Sequence, residues 1–477
     1  MAESMKTQAV KGVAWSAIER FSMQGVQFVL TIVISRLVAP LEYGLIAMLG
    51  IFMSLAQWFI DSGFSNALIQ KKDRTEIDFS TVFYFNIVVA VMVYLLLFGI
   101  APCIAAFYNE PLLKIITRWV GLNIVISAFS IVQRAKLTIQ MDFKIQAQVS
   151  FFSVVLSGVC GLIMAYKGFG VWALVMQGLL GSILNTLFIW VFSRWMPGWC
   201  FSWRSFRLLF SFGSKLMLSG LLHTIYLNLY TLVIGRSYSA ADVGFYNRSL
   251  SIAQFPSQTI SGIITRVIYP LQCEMQHDAE RLSQSFLQYL RMSCYIIFPL
   301  SVGIGVLSRP LVLVLLTEKW IPIAPLIFIL CIAYMWYPVM VVNNQMLNVR
   351  GRSDYFLREE VIKKIAAIAI LIVTMPLGVK VLCWGLVFYN LLDMVIGVYY
   401  TKKVITTGFG QQIRALLPAF LLTAAMGGVV SLFLLMVTNV YVQLVGGVLV
   451  GLATYALLSY LFRVKEIGYL LSYIQKK

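Results

Sequence analysis

The sequence predicts an all-α polytopic membrane protein: about fourteen transmembrane helices, arranged as two six-helix lobes followed by two C-terminal helices. Three observations carry this. First, 60% of the 477 residues are hydrophobic and only 12% are charged, about half the charged share of a soluble chain. Second, residues 79–109 and 415–462 contain no charged side chain. A span takes about 20 apolar residues, so the longer stretch crosses a bilayer twice. Third, segments of the first half recur in the second. Backbone in lipid must satisfy its own hydrogen bonds, which leaves helices or a closed barrel. Long unbroken apolar runs exclude the alternating strands of a barrel.

In chain order the expected helices run over residues 12–35, 43–68, 79–107, 112–133, 145–166, 169–193, 209–235, 244–270, 286–308, 321–348, 360–378, 381–401, 415–436 and 441–462, with short polar or Pro/Gly-bearing turns between them. The opening "MAESMKTQAVKG" is polar and leads into a full-length span, so no cleavable signal peptide is expected. With the N-terminus inside, 25 of the 37 Lys and Arg lie in cytoplasmic segments, among them Arg134, Lys363 and Lys364. Nine lie at the outer ends, and Arg20, Lys215 and Arg266 lie at membrane depth. The asymmetry follows the positive-inside rule and places both termini in the cytoplasm. It also accounts for most of the net charge of +18, so a nucleic-acid partner is not expected. The seven Cys are scattered without a CxxC pair, and His223 and His277 are the only histidines. No metal site is expected from such a set.

The repeat is visible at the first span. "TIVISRLVAPLEYG" from Thr31 returns as "TLVIGRSYSAADVG" from Thr231, with Arg36 matching Arg236, Glu42 matching Asp242 and Gly44 matching Gly244. Further on the offset grows: Gln133 matches Gln345, Asp142 matches Asp354, and Trp172 matches Trp384. A single insertion in the loop "CEMQHDAERLSQ" accommodates both registers. Six spans per copy is an even number, so both copies enter the membrane in the same sense and an axis along the membrane normal relates them. The expected divisions are 1–203 and 204–408 for the lobes around a central cavity, with 409–477 holding the last two helices and a cytoplasmic tail. Arg36 and Arg236 admit two readings. They snorkel to headgroups, or they form a paired outer gate with Glu42 and Asp242.

Charges at membrane depth are costly and usually face a wet interior. In the first span Glu19, Arg20, Gln24 and Gln27 recur every three to four residues, giving one polar stripe. The second carries Gln57, Asp61, Ser62, Ser65 and Asn66; the seventh carries Lys215, His223 and Asn228. The eighth, "GFYNRSLSIAQFPSQTISGIITRVIYP", repeats Asn247, Arg248, Ser251, Gln254, Gln258, Ser261 and Thr265 at helical spacing beside Arg266, with Pro256 in mid-span. These helices are the equivalent first pairs of the two lobes and are the expected cavity walls. Arg20, Lys215, Arg248 and Arg266 favour an anionic ligand group, and a guanidinium fork suits phosphate. Lys215 also lies close enough to a span end to snorkel. Asp393 in the twelfth span is a lone carboxylate beside Asn390; it serves either a hydrogen bond to a neighbouring helix or the binding of a coupling ion. There is no Walker A motif, no channel filter sequence, and no long outer loop to hold a catalytic centre. What remains is a secondary carrier or flippase.

Five segments, in order, carry a likeness: "GVAWSAIERF", "DSGFSNALIQKK", "GFGVWALV", "ITRVIYP" and "TEKW". The chain resembles bacterial polysaccharide exporters of the Wzx type, in particular the colanic-acid-exporter-like branch of the multidrug/oligosaccharidyl-lipid/polysaccharide superfamily. The resemblance covers residues 8–410 and fades over the last two spans. It implies two lobes in a V that open alternately to either side of the bacterial inner membrane. It implies a flippase for undecaprenyl-diphosphate-linked oligosaccharides in lipopolysaccharide, capsule or exopolysaccharide synthesis, with a basic cavity for the diphosphate. Polymerase and chain-length machinery are then the expected partners, beside the polyprenyl-linked glycan and membrane lipid. Asp61, Asn66, Gln70, Arg266 and Pro270 stand at positions of the family motifs. No cofactor is expected; coupling to a proton or sodium gradient would pass through Glu19, Asp61 or Asp393. Three other readings stand beside this one. A drug or cation antiporter of the same superfamily would favour buried carboxylates. A flippase for the peptidoglycan precursor lipid II differs only in substrate. A membrane enzyme would need an outer catalytic loop.

Overall fold

The computed structural model describes residues 25–61, 64–71, 73–464 and 466, and of Asn66, Phe212, Lys215, Leu216 and Ser219 the backbone only. Glu19, Arg20 and Gln24 lie outside the described residues. Each apolar run folds as a helix: α1 (Gly25–Leu37), α2 (Pro40–Asp61), α3 (Phe64–Gln70), α4 (Glu76–Tyr108), α5 (Leu112–Ile139), α6 (Phe143–Tyr166), α7 (Val171–Ser193), α8 (Trp203–Ser237), α9 (Ala240–Glu274), α10 (Ala279–Val306), α11 (Ser308–Leu315), α12 (Ile323–Tyr334), α13 (Tyr337–Val349), α14 (Ser353–Thr374), α15 (Val379–Thr401), α16 (Phe409–Met436) and α17 (Val440–Leu461). No strand occurs among the described residues.

Among the described residues ten spans are long and apolar enough to cross a membrane, counting α12 and α13 as one, where fourteen were expected of the whole chain. The helices α8 and α9, 35 residues each, and α14, 22 residues, have the length but carry too much polarity to join them. Helix starts follow local capping chemistry. Asp142 accepts from the Ile145 amide at 3.1 Å, Asp278 from Arg281 at 3.0 Å, and Asn439 from Tyr441 at 2.9 Å. Each satisfies an amide that the first turn leaves without a partner. Pro256 and Pro270 lie inside α9, which continues through both.

The chain divides into two compact units, Met1–Gly244 and Phe245–Lys477. In unit 1, α4 packs on α5, α5 and α6 on α7, and α8 on α2, α3 and α4. Phe64, Leu68, Phe79, Phe83 and Trp195 fill the core at one end. Trp58 donates to Thr224 Oγ1 at 2.7 Å, tying α2 to α8. In unit 2, α10 packs on α12, α13 and α16, while α15 touches α12, α13 and α14. Its core is built on Phe286, Leu290, Phe298, Val342 and Met346.

The repeated helix starts meet within unit 1. A Cβ on Gly44 would lie 1.6 Å from the Ala240 carbonyl oxygen, and one on Gly244 would lie 2.1 Å from the Pro40 carbonyl oxygen. Each glycine's Cβ position is also 3.1 Å from the other's amide nitrogen. The contact is reciprocal, as a two-fold relation between equivalent segments requires. It gives the physical reason why glycine ends both copies: backbone sits on backbone, and there is no room for a side chain.

Candidate functional site

The acidic residues beside those glycines act locally. Glu42, half-buried, accepts from the Ala39 amide at 2.7 Å and so caps its own helix. Its carboxylate leans over Gly170, where φ is +58° and a Cβ would fall 2.1 Å from Oε1. Asp242 accepts from the Ser239 amide at 3.1 Å and hydroxyl at 2.7 Å, while Ser239 Oγ accepts from the Asp242 amide at 3.2 Å. This is a capping box at the start of α9. Arg236 is exposed with its guanidinium 5.4 Å from the Phe107 ring, and Arg36 is exposed beside Leu162 and Tyr166.

A polar cleft opens inside unit 1. One chamber of about 480 Å³ lies among α1, α2, α5, α6 and α7. A second of about 390 Å³ lies among α2, α3 and α5. Both are lined by Ser127, Ser130 and Arg134, where they meet. The lining follows from helical period. On α5, Ser127, Ser130, Arg134 and Thr138 recur every three to four residues; on α7, Gln177, Gly181 or Ser182, and Asn185 or Thr186 do the same. Gln27 and Thr31 of α1 continue the stripe expected of the first span. Gln57, Asp61 and Ser65 border the second chamber, and Ser65 Oγ donates to Asp61 at 2.6 Å.

The hydroxyls share a pattern. Ser127 donates to the Asn123 carbonyl at 2.7 Å, Ser130 to Ser127 at 2.8 Å, Thr138 to Arg134 at 2.9 Å, and Thr186 to Ile126 at 3.1 Å. Each spends its one proton on backbone and keeps its lone pairs as acceptors. Arg134 supplies the donors and bonds the Asn185 side-chain oxygen across the cleft. The result is a surface of acceptors and fixed donors around one guanidinium, suited to a ligand rich in hydroxyls with an anionic group. Chambers of this size fall within the range of small-molecule sites.

Two corrections follow. Arg134 is not a cytoplasmic-loop cation: α5 continues to Ile139 instead of ending at 133, which carries Arg134 onto the cleft wall. Lys363, expected just inside a span that starts at 360 and counted with the cytoplasmic cations, is not on the cytoplasmic surface either: α14 begins at Ser353, and Lys363 is 2% exposed. Asp393 is accordingly not a lone carboxylate. Its Oδ1 lies 2.5 Å from Lys363 Nζ, and the same ammonium pairs with Glu359 one turn earlier. Glu359 is 1% and Asp393 8% exposed. Asn390, Asp393's neighbour on α15, donates to the Ala333 carbonyl at 2.9 Å.

On α9 the expected stripe divides. Ser261 is buried and Thr265 bonds Tyr289 at 2.9 Å. Ser251, Gln258 and Arg266 are exposed on the other side, while Asn247, Arg248 and Gln254 are half-buried. Arg248 lies 5.7 Å from the ring of Trp320, which is fully buried and belongs to the "TEKW" segment. Asn66 and Lys215 fall on α3 and α8, with no account of their side chains. Among the described residues no group of three or more His, Cys, Asp or Glu is placed to hold a metal.

A family model described as "Polysaccharide biosynthesis protein" matches residues 33–325. The chain belongs to that family. It is similar to the teichuronic acid biosynthesis protein TuaB of Bacillus subtilis (strain 168), 26% identical over 427 residues, 89% of this chain and 88% of the relative. It is similar to the lipopolysaccharide biosynthesis protein WzxC of Escherichia coli (strain K12), also 26% identical over 427 residues, 88% of this chain and 86% of the relative. Among solved structures it resembles the lipid II flippase MurJ in an inward closed conformation, with a TM-score of 0.76, 16% identity, and coverage of 95% of this chain and 99% of that one. At that identity the likeness concerns the fold alone: a multi-pass helical membrane protein. The sequence-based assignment to polysaccharide exporters is thereby upheld.

Proposed function

We propose that this protein translocates undecaprenyl-diphosphate-linked oligosaccharide units from the cytoplasmic to the outer leaflet of a bacterial inner membrane by alternating access. Both termini are then cytoplasmic, and polymerase and chain-length machinery act on the delivered product. The protein is a carrier and makes or breaks no bond in its cargo. Membership of the polysaccharide biosynthesis family and the flippase-like fold support the reading. The observation that carries it is the two-chambered polar cleft around Arg134. Sugars and phosphate that leave water lose hydrogen bonds worth several kcal/mol per group in hydrocarbon. A wall of hydroxyl and amide groups replaces those bonds, while the polyprenyl chain stays in lipid.

The test is translocation of a labelled polyprenyl-diphosphate oligosaccharide in proteoliposomes. Arg134→Ala is expected to slow it roughly tenfold to hundredfold, the worth of a hydrogen bond to a charged group. Wild-type vesicles that leave the labelled lipid in its original leaflet would refute the carrier role. Unchanged translocation by Arg134→Ala and Asn185→Ala, alone and together, would remove the cleft from the substrate path.

A further inference from the structure

The Glu359–Lys363–Asp393 cluster lies well apart in sequence from the cleft residues and lines neither chamber. Two carboxylates and one ammonium meet in the interior of unit 2, and together they leave one uncompensated negative charge when all three are ionised. Their surroundings supply little to offset it. Asn344 of α13 accepts from Lys363 Nζ at 3.2 Å. Asn343, also on α13, is bonded reciprocally at 3.1 Å to Gln412 of α16 and so is already engaged. On α15 the position one turn beyond Asp393 is Gly397, whose Cβ would lie 3.4 Å from Glu359 Oε1, so that turn brings no polar group. Among the described residues, the further charged groups acting on the cluster are Glu360 and Lys364, which pair with each other at 2.7 Å.

We propose that this cluster is a one-proton binding site, and that its loading and unloading couples a proton gradient to transport. A net charge enclosed among helices is unfavourable unless it is paired or neutralised. The lysine already occupies the space between the carboxylates where a metal cation would sit. A proton shared by Glu359 and Asp393 completes neutrality without needing room. The proton comes from water on one side of the membrane and returns to water on the other, with Lys363 remaining charged throughout. The coupling role rests on the carrier reading above; the proton site does not.

Charge counting gives the site a signature that packing does not. Infrared spectra of the purified full-length protein in nanodiscs at neutral pH should show the carbonyl stretch of about one buried protonated carboxyl from this cluster. Glu359→Gln or Asp393→Asn alone should abolish that signal, because either leaves one carboxylate against one ammonium. Lys363→Met should double it. If Lys363→Met does not insert, the two isosteric variants still decide the matter. A spectrum unchanged by both Glu359→Gln and Asp393→Asn overturns the site, as does stabilisation of the wild type by sodium chloride, but not by choline chloride, that Asp393→Asn loses. In proteoliposomes, Asp393→Asn should make glycolipid translocation insensitive to an imposed pH gradient. Retained sensitivity overturns the coupling role alone. A wild type that moves no glycolipid yet shows the infrared pattern refutes the carrier reading and leaves the proton site standing.

Discussion

Unit 1 and unit 2 place polar side chains inside a helical membrane protein in opposite ways. In unit 1 the groups line open space. Arg134 is exposed to it, and the serines and threonines donate to backbone carbonyls, Thr186 to that of Ile126 on the neighbouring helix, and present lone pairs to the cleft. In unit 2 the groups close on one another, and Lys363 is sealed between two carboxylates. The difference teaches what a lost side chain costs the fold in each place. A cleft residue is solvated whether or not it has a partner, so its loss costs binding. A sealed residue depends on its partners, so its loss costs the fold.

Substitutions can break or sharpen this contrast. The largest effect on stability is expected for Lys363→Met, about 3–5 kcal/mol, since two buried carboxylates lose their cation. Thermal unfolding in detergent measures it, and the triple variant Glu359→Gln, Lys363→Met, Asp393→Asn should recover most of the loss. Next comes Gly44→Ala, about 1–3 kcal/mol, because its methyl must displace the Ala240 carbonyl. Gly178→Ala, whose methyl would find only Asn123 Nδ2 at 3.8 Å on the cleft wall, should be tolerated. Arg134→Ala should stay within about 1 kcal/mol of wild type while translocation falls, and Ser182→Ala should move stability by about 0.5 kcal/mol or less. A Ser182→Ala or Arg134→Ala protein as unstable as Lys363→Met would abolish the distinction between the units.

The all-helical, multi-span character was legible because it depends on local composition and on a period that a helix imposes. The stripe through Gln27 and the second-span residues Gln57, Asp61 and Ser65 were legible for the same reason. Arg134 and Lys363 were not. Both stand within two turns of an expected span end, where composition does not say whether a cation faces water or the interior; for Arg134 the difference is a helix of 28 residues instead of one ending at 133. Their partners lie on other helices: Asn185 is 51 residues from Arg134, and Asp393 is on the helix after Lys363. No periodicity reports such a meeting. The stripe on α7 was within reach, since Gln177, Gly181 and Asn185 keep helical spacing, but amides and small residues without charge draw less notice than arginines. The repeated Glu42 and Asp242 show the converse. Their recurrence was plain, while their present use, capping the start of α2 and of α9, is a matter of one turn of backbone.

The mutual seating of Gly44 and Gly244 has a historical consequence. Two identical chains that touch at their own symmetry axis make this kind of handshake without any adaptation, each offering the other the same bare spot. A tandem duplication that joined such chains would inherit it intact. Thereafter the two copies of this short segment were free to diverge in nearly everything else, but a bulky replacement at either glycine would have pushed Pro40 and Ala240 off the facing backbone.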